Sequence, residues 1–228
     1  MNAADIPPPA CVIVLHGMGR TACSMKRVEW SLKREGYRVI NATYPSTRLS
    51  IQELADDWLN DLIEQKVPRD GCTIHFVTHS LGGIVVRQYL STHRLERLGR
   101  VVMLGPPNQG SEMASRLRTN FFYRLLTGPA GQELGIERES TPNRLGPVNF
   151  PVGVIAGSRS FGRRRDFAGP NDGKVAVART QVEGMTDFAV IHATHTWMMC
   201  HPRVLRAVTH FLRGGRLQEI TSASPVRM

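Results

Sequence analysis

Six short apolar runs recur along the chain: CVIVL at 11–15, YRVINA at 37–42, CTIHFV at 72–77, VVML at 101–104, VGVIA at 152–156 and DFAVI at 187–191. They are rich in Val and Ile and do not alternate apolar with polar residues. That pattern predicts strands covered on both faces, which pair in parallel with helices above and below. The stretches between them are longer and amphipathic. The expected class is therefore α/β, with a six-stranded, mainly parallel sheet and helices on both faces.

Some helix ends are written in the sequence. Ser50-Ile-Gln-Glu53 is a capping box, in which hydroxyl and carboxylate each satisfy a free backbone N–H, and it predicts a helix running to about Gln65. Pro202 suits a first helical position and Gly214 follows the last periodic residue, which predicts a final helix over about 202–213. Residues 214–228 are polar and aperiodic and are expected to fray. No repeat or linker interrupts the chain, so one domain is expected over 1–213. It carries one long insertion, about 111–150, in which Met113, Leu117, Phe121 and Leu125 recur every four residues beside Phe122 and Tyr123. That spacing gives one apolar helical face, suited either to packing on the sheet or to lying over a site as a short cap.

Composition narrows the class. With 228 residues, 41% hydrophobic and 21% charged, the chain has an ordinary globular balance, and no apolar run approaches the roughly 18 residues of a membrane span. The first residues, MNAADIPPPACVIVLHG, show no basic leader ahead of the first strand, so a cytoplasmic location is expected. Four scattered cysteines form no CxxC pair and eight histidines form no HExxH pattern, so the sequence implies neither a metal nor an organic cofactor. A net charge of +10 favours anionic substrates or weak association with anionic surfaces. The densest basic run, Arg163-Arg164-Arg165, lacks the aromatic interleaving of a nucleic-acid groove and is expected as a solvated loop; no nucleic-acid partner is implied.

Four stretches carry candidate chemistry. Phe76-Val77-Thr78-His79-Ser80-Leu81-Gly82-Gly83 runs from a buried strand into a helix through a serine with small neighbours. Val14-Leu15-His16-Gly17-Met18-Gly19 ends the first strand, Leu104-Gly105-Pro106-Pro107-Asn108-Gln109-Gly110-Ser111 ends the fourth, and Asn171-Asp172-Gly173-Lys174-Val175 follows the fifth. Together they resemble the α/β-hydrolase superfamily, in its small bacterial lipase and carboxylesterase branch, over nearly the whole chain. The resemblance implies a minimal α/β-hydrolase fold, without the antiparallel strands that usually precede the first parallel one. It identifies Ser80 as the nucleophile on a strained elbow. Gly82 is small, as that elbow requires, whereas Thr78 stands where glycine is usual. The amides of Met18 and Leu81 become the oxyanion donors, each contributing about 3–4 kcal/mol to the transition state. The prolines turn the chain over the site, with Ser111 placed to cap the next helix.

The family order of Ser, acid, His places the base C-terminal to Ser80, where His93, His192, His195 and His201 are the candidates weighed. His93 lies in the helix leading away from the elbow, and His201 directly precedes Pro202. A catalytic histidine belongs beyond the strand end at Ile191, which favours His195 over His192. Asp172 matches an Asn/Ser-Asp-Gly-x-Val pattern of many lipases and is the candidate acid. Asp187 would begin the last strand at the wrong end of the sheet, and Asp166 lies among arginines. The resemblance thus implies hydrolysis of small ester or lipid substrates through an acyl-enzyme, with short to medium acyl chains preferred. An acyltransferase or thioesterase on an anionic acyl carrier, and a non-catalytic binder of the same fold, are the alternatives.

Overall fold

The computed structural model describes residues 10–161, 167 and 169–217. The Arg163-Arg164-Arg165 run, Asp166 and the chain after 217 lie outside the described residues. All six expected strands form: β1 Cys11–Leu15, β2 Arg38–Ala42, β3 Ile74–His79, β4 Leu98–Leu104, β5 Val152–Gly157 and β6 Asp187–Ile191. Their order is β2-β1-β3-β4-β5-β6, and every pairing is parallel. The fold is that of an α/β hydrolase.

The unbroken apolar strands follow from burial on both faces. Ile13, Leu15, Phe76, Val101 and Val154 pack in one layer with Ile51, Leu54, Leu59 and Ile84; Val12, Val14, Val77, Val102 and Ile155 pack in the other with Val28, Leu32, Val204 and Phe211. One layer is covered by the helix starting at Ile51 and by Leu81–Thr92, and the other by Lys26–Arg34 and Pro202–Gly214.

The capping box forms as written: Glu53 N–H donates to Ser50 Oγ at 3.2 Å, and Ser50 N–H to Glu53 Oε2 at 2.7 Å. The helix passes through a π-helical stretch, Leu54–Leu59, and ends at Lys66. At the other end, the final helix reaches Gly214, and Gly215, at φ +74°, takes the left-handed stop expected at Gly214. His201 Nδ1 caps its start by accepting from Arg203 N–H at 3.2 Å.

Within the insertion the structure corrects the single apolar stripe. Asn120 accepts from Tyr123 N–H and starts a second helix, so Glu112–Leu117 and Phe121–Gln132 run on separate axes. Met113 and Leu117 therefore share no face with Phe121 and Leu125, and the latter two are exposed.

From β1 the chain crosses to β2 on one side, and β3 adds on the other. Their carboxyl ends thus flank the point where strand order reverses, the usual place for a ligand crevice in such sheets.

Candidate active site

At the carboxyl end of β3 the backbone turns sharply. Ser80, at φ +53° and ψ −120°, is the only non-glycine residue with positive φ among the described residues. Such a conformation costs on the order of 1–3 kcal/mol and persists only where surrounding structure enforces it. Here Ser80 N–H is held by Leu104 O at 2.9 Å, and the helix Leu81–Thr92 starts at once. A Cβ on Gly82 would lie 2.9 Å from Leu15 Cβ and 3.0 Å from the His16 carbonyl oxygen, so only glycine lets helix and β1 meet. Thr78 is fully buried, and its hydroxyl donates to Val102 O at 3.4 Å. A Cβ on Gly83 would stand 3.3 Å from that hydroxyl and 3.3 Å from Pro106 Cβ, so this second glycine eases a crowded junction of strand, helix and loop.

The loops after β5 and β6 bring Asp172 and His195 together. His195 Nδ1–H donates to Asp172 Oδ2 at 2.7 Å, both side chains are buried, and His195 N–H donates to Asp172 O at 2.9 Å. Asp172 Oδ1 accepts from Lys174 N–H at 3.0 Å and Val175 N–H at 2.9 Å, which fixes the carboxylate before the imidazole reaches it. With Nδ1 donating, His195 Nε2 is the ring nitrogen left to face a reactant. Gly105, at φ +55°, turns β4 beneath this pair, and a Cβ there would crowd Asp172 Oδ2 at 3.1 Å and His195 Nδ1 at 3.2 Å.

Ser80 and His195 line one cavity of about 170 Å³, together with Met18, His79, Arg20 and Lys174. The insertion adds Met113, Ala114, Tyr123, Leu126 and Leu134 to its lining. No hydrogen bond joins the Ser80 hydroxyl to His195 among the described residues; such contacts commonly tighten only when substrate is bound.

Met18 sits on a braced turn. Gly19 N–H donates to Ser46 Oγ at 3.0 Å and Arg20 N–H to Gly17 O at 3.2 Å, while no hydrogen bond among the described residues uses the Met18 or Leu81 amide. His16 anchors the turn from behind: its Nδ1–H donates to Gly17 O at 2.8 Å, its Nε2 accepts from Tyr44 N–H, and its ring stacks on Tyr44 at 4.1 Å.

The other acidic and imidazole candidates fall elsewhere. His192 is exposed, His93 stacks on Tyr89, and His201 caps the last helix. Asp187 accepts from Phe188 and Leu217 N–H, at the amino end of β6. The sequence reading missed His79. Its Nε2–H donates to His195 O at 3.0 Å, and the two rings lie 4.7 Å apart. Burial first, and then the neighbouring His195, hold its pKa well below the ordinary histidine value, so it is neutral. The only sequence signal was its place beside Ser80. Arg20 and Lys174 were also missed, although each follows a motif residue by two positions.

Residues 12–218 match the α/β hydrolase family, and the chain belongs to it. No curated protein matches the sequence. Among solved structures, the chain is similar to the Bacillus licheniformis lipase BlEst2 in its mature form, at TM-score 0.69 and 18% identity over 91% of this chain and 94% of that one. The propeptide form of that lipase gives TM-score 0.72 and 16% identity over 96% of this chain, which spans only 54% of it. Phospholipase PlaB from Legionella pneumophila matches at TM-score 0.69 and 18% identity, over 92% of this chain and 60% of that one. At such identities the likeness is one of fold. No helix among the described residues is long and apolar enough to cross a membrane.

Proposed function

We propose that the chain is a serine carboxylesterase or lipase that hydrolyses carboxylic esters through Ser80, His195 and Asp172. The observation that carries this reading is the buried 2.7 Å bond between His195 and Asp172, on the same cavity as a serine held at positive φ. Ser80 Oγ attacks the ester carbon while His195 Nε2 takes its proton. The carbonyl electron pair moves to oxygen, where the Met18 and Leu81 amides stabilise it. Collapse breaks the acyl C–O bond, His195 returns the proton to the departing alkoxide, and water repeats the sequence on the acyl-enzyme. Asp172 holds the imidazole tautomer and stabilises the imidazolium without taking the proton itself. The four cysteines are all unpaired, which fits the reducing cytoplasm.

Labelling with a fluorophosphonate probe tests this directly. The wild-type protein is expected to label at Ser80 and to turn over p-nitrophenyl esters. Ser80→Ala should lose both while its thermal unfolding is unchanged. Turnover retained by Ser80→Ala overturns the assignment.

A further inference from the structure

Two cations share the cavity with Ser80, and among the described residues neither forms an ion pair. Arg20 and Lys174 both line it, and among the described residues no ion pair or side-chain hydrogen bond engages the Arg20 guanidinium or the Lys174 ammonium. Asp172, whose charge acts on Lys174, already accepts from Lys174 N–H, Val175 N–H and His195 Nδ1–H. Lys174 reaches solvent, yet desolvation first and Arg20 second lower its pKa, outweighing the Asp172 charge that raises it. Both cations also act on the buried His79.

Their backbones are rigid. Arg20 N–H closes the turn on Gly17 O, two residues beyond Met18. Lys174 stands two residues beyond Asp172, with its N–H on Asp172 Oδ1 and its carbonyl accepting from Ser111 Oγ at 2.8 Å. The loops that carry the proposed oxyanion amide and the proposed acid therefore also hold two positive charges beside Ser80. Met113, Ala114 and Leu134 add apolar lining to the same cavity. A cavity lined both by two cations and by apolar side chains suits an anionic amphiphile.

We infer that the substrate is an acyl ester whose alcohol portion bears a phosphate or carboxylate, with the anion held by Arg20 and Lys174 and the acyl chain against the insertion. This rests on the ester-hydrolase reading above. The reaction remains hydrolysis: the acyl C–O bond breaks, water supplies OH to the acyl carbon and H to the alkoxide, and the anionic group leaves unchanged on the alcohol. An arginine matches planar or tetrahedral oxyanions through paired N–H donors, and the lysine adds a point charge.

The test compares octanoyl esters of glycerol, glycerol 3-phosphate and glyceric acid below the concentration of micelle formation. Wild-type kcat/KM should favour at least one anionic ester over the glycerol ester by about tenfold or more, the magnitude of a charge-assisted contact. The phosphate and carboxylate arms then show which anion fits. In Arg20→Gln/Lys174→Gln the anionic-to-neutral ratio should fall to near one, mainly through KM. Lys66→Gln/Arg69→Gln removes the same charge at the amino end of the sheet and should keep the ratio. Equal rates on all three wild-type esters, or an equal fall of the ratio in both double variants, overturns the inference while leaving fluorophosphonate labelling intact. Absence of labelling and of all turnover instead overturns the ester-hydrolase reading. The cations are tested in that case too, by equilibrium binding to Ser80→Ala: octyl phosphate should bind about tenfold tighter than octylglycerol, and equal binding rejects the anion site.

Discussion

Asp172 and Asp187 differ by what their oxygens hold. Asp172 receives an imidazole N–H and two backbone N–H groups in a buried loop, whereas Asp187 receives Phe188 and Leu217 N–H and ties the end of the chain to β6. Under the proposed mechanism Asp172→Asn lets the amide donate to Nδ1, so the imidazole presents its N–H to Ser80 instead of a lone pair. The expected loss in kcat is about 10³- to 10⁴-fold with KM little changed. Asp187→Asn should alter kcat by less than about twofold and stability by about 1 kcal/mol, the size of a weakened hydrogen bond. Steady-state kinetics on one chromogenic ester decides between them, and the reverse ranking would move the acid to Asp187. Ser80, Asp172 and His195 were legible because each sits in a short motif just beyond a strand end. His79 was not, because its role depends on a carbonyl 116 residues away that only the folded loop brings near. Gly83 was equally silent: Thr78 and Pro106, which leave little room for a side chain there, meet only in the packed elbow.

The insertion shows where pattern reading stopped working at the level of elements. Strands buried on both faces left an unbroken apolar record, and all six were readable. The insertion faces the sheet, the cavity and water at once, so its apolar residues mark no single surface. Tyr123 is half-buried on the cavity, while Phe121, Phe122, Leu125 and Leu126 stand about 70% exposed on the same helix, Leu126 also lining the cavity. Its kink falls at Gly128, at φ +61°, and Pro129. A cavity near 170 Å³ is small beside the roughly 300–1,000 Å³ of typical ligand pockets. Each buried methylene contributes about 0.8 kcal/mol, so affinity stops growing once the space is filled. The kcat/KM of p-nitrophenyl esters should therefore peak at short to medium chains, and Met113→Ala, by enlarging the cavity at its apolar lining, should move the peak toward longer ones. A steady rise through the longest chains, with a jump at a lipid interface, would instead make the exposed aromatic face of this helix a lipid-docking surface.

For the whole molecule, the buried histidines set the response to acid. His75 in β3 is 6% exposed; its Nδ1 accepts from Arg100 N–H at 2.7 Å, and Tyr37 packs edge-on at 6.0 Å. Burial, with the Arg100 charge second, pushes its pKa down to about 4. His16 and His79, at the ends of β1 and β3, are lowered for the same main reason. In the unfolded chain these rings take up protons near pH 6.5, while in the folded protein His75 resists until about pH 4. Across that window the unfolded state binds more protons, so stability is complete above about pH 6.5 and falls as the pH drops. His75 alone contributes a loss of about 2 kcal/mol between pH 7.5 and 5, a large share of the roughly 5–15 kcal/mol typical of a folded protein. Glu29 and Asp70 act in another range: their carboxyls are held at about 2, so what they contribute is lost only at lower pH. Urea unfolding at pH 7.5 and 5 should show the midpoint falling with acid. In His75→Gln, whose side-chain oxygen can still accept from Arg100 N–H, a smaller fall is expected because one of three resisting rings is gone. A midpoint that is flat over this range would reject the histidine account, and one that falls as far in His75→Gln as in the wild type would remove His75 from it and leave His16 and His79.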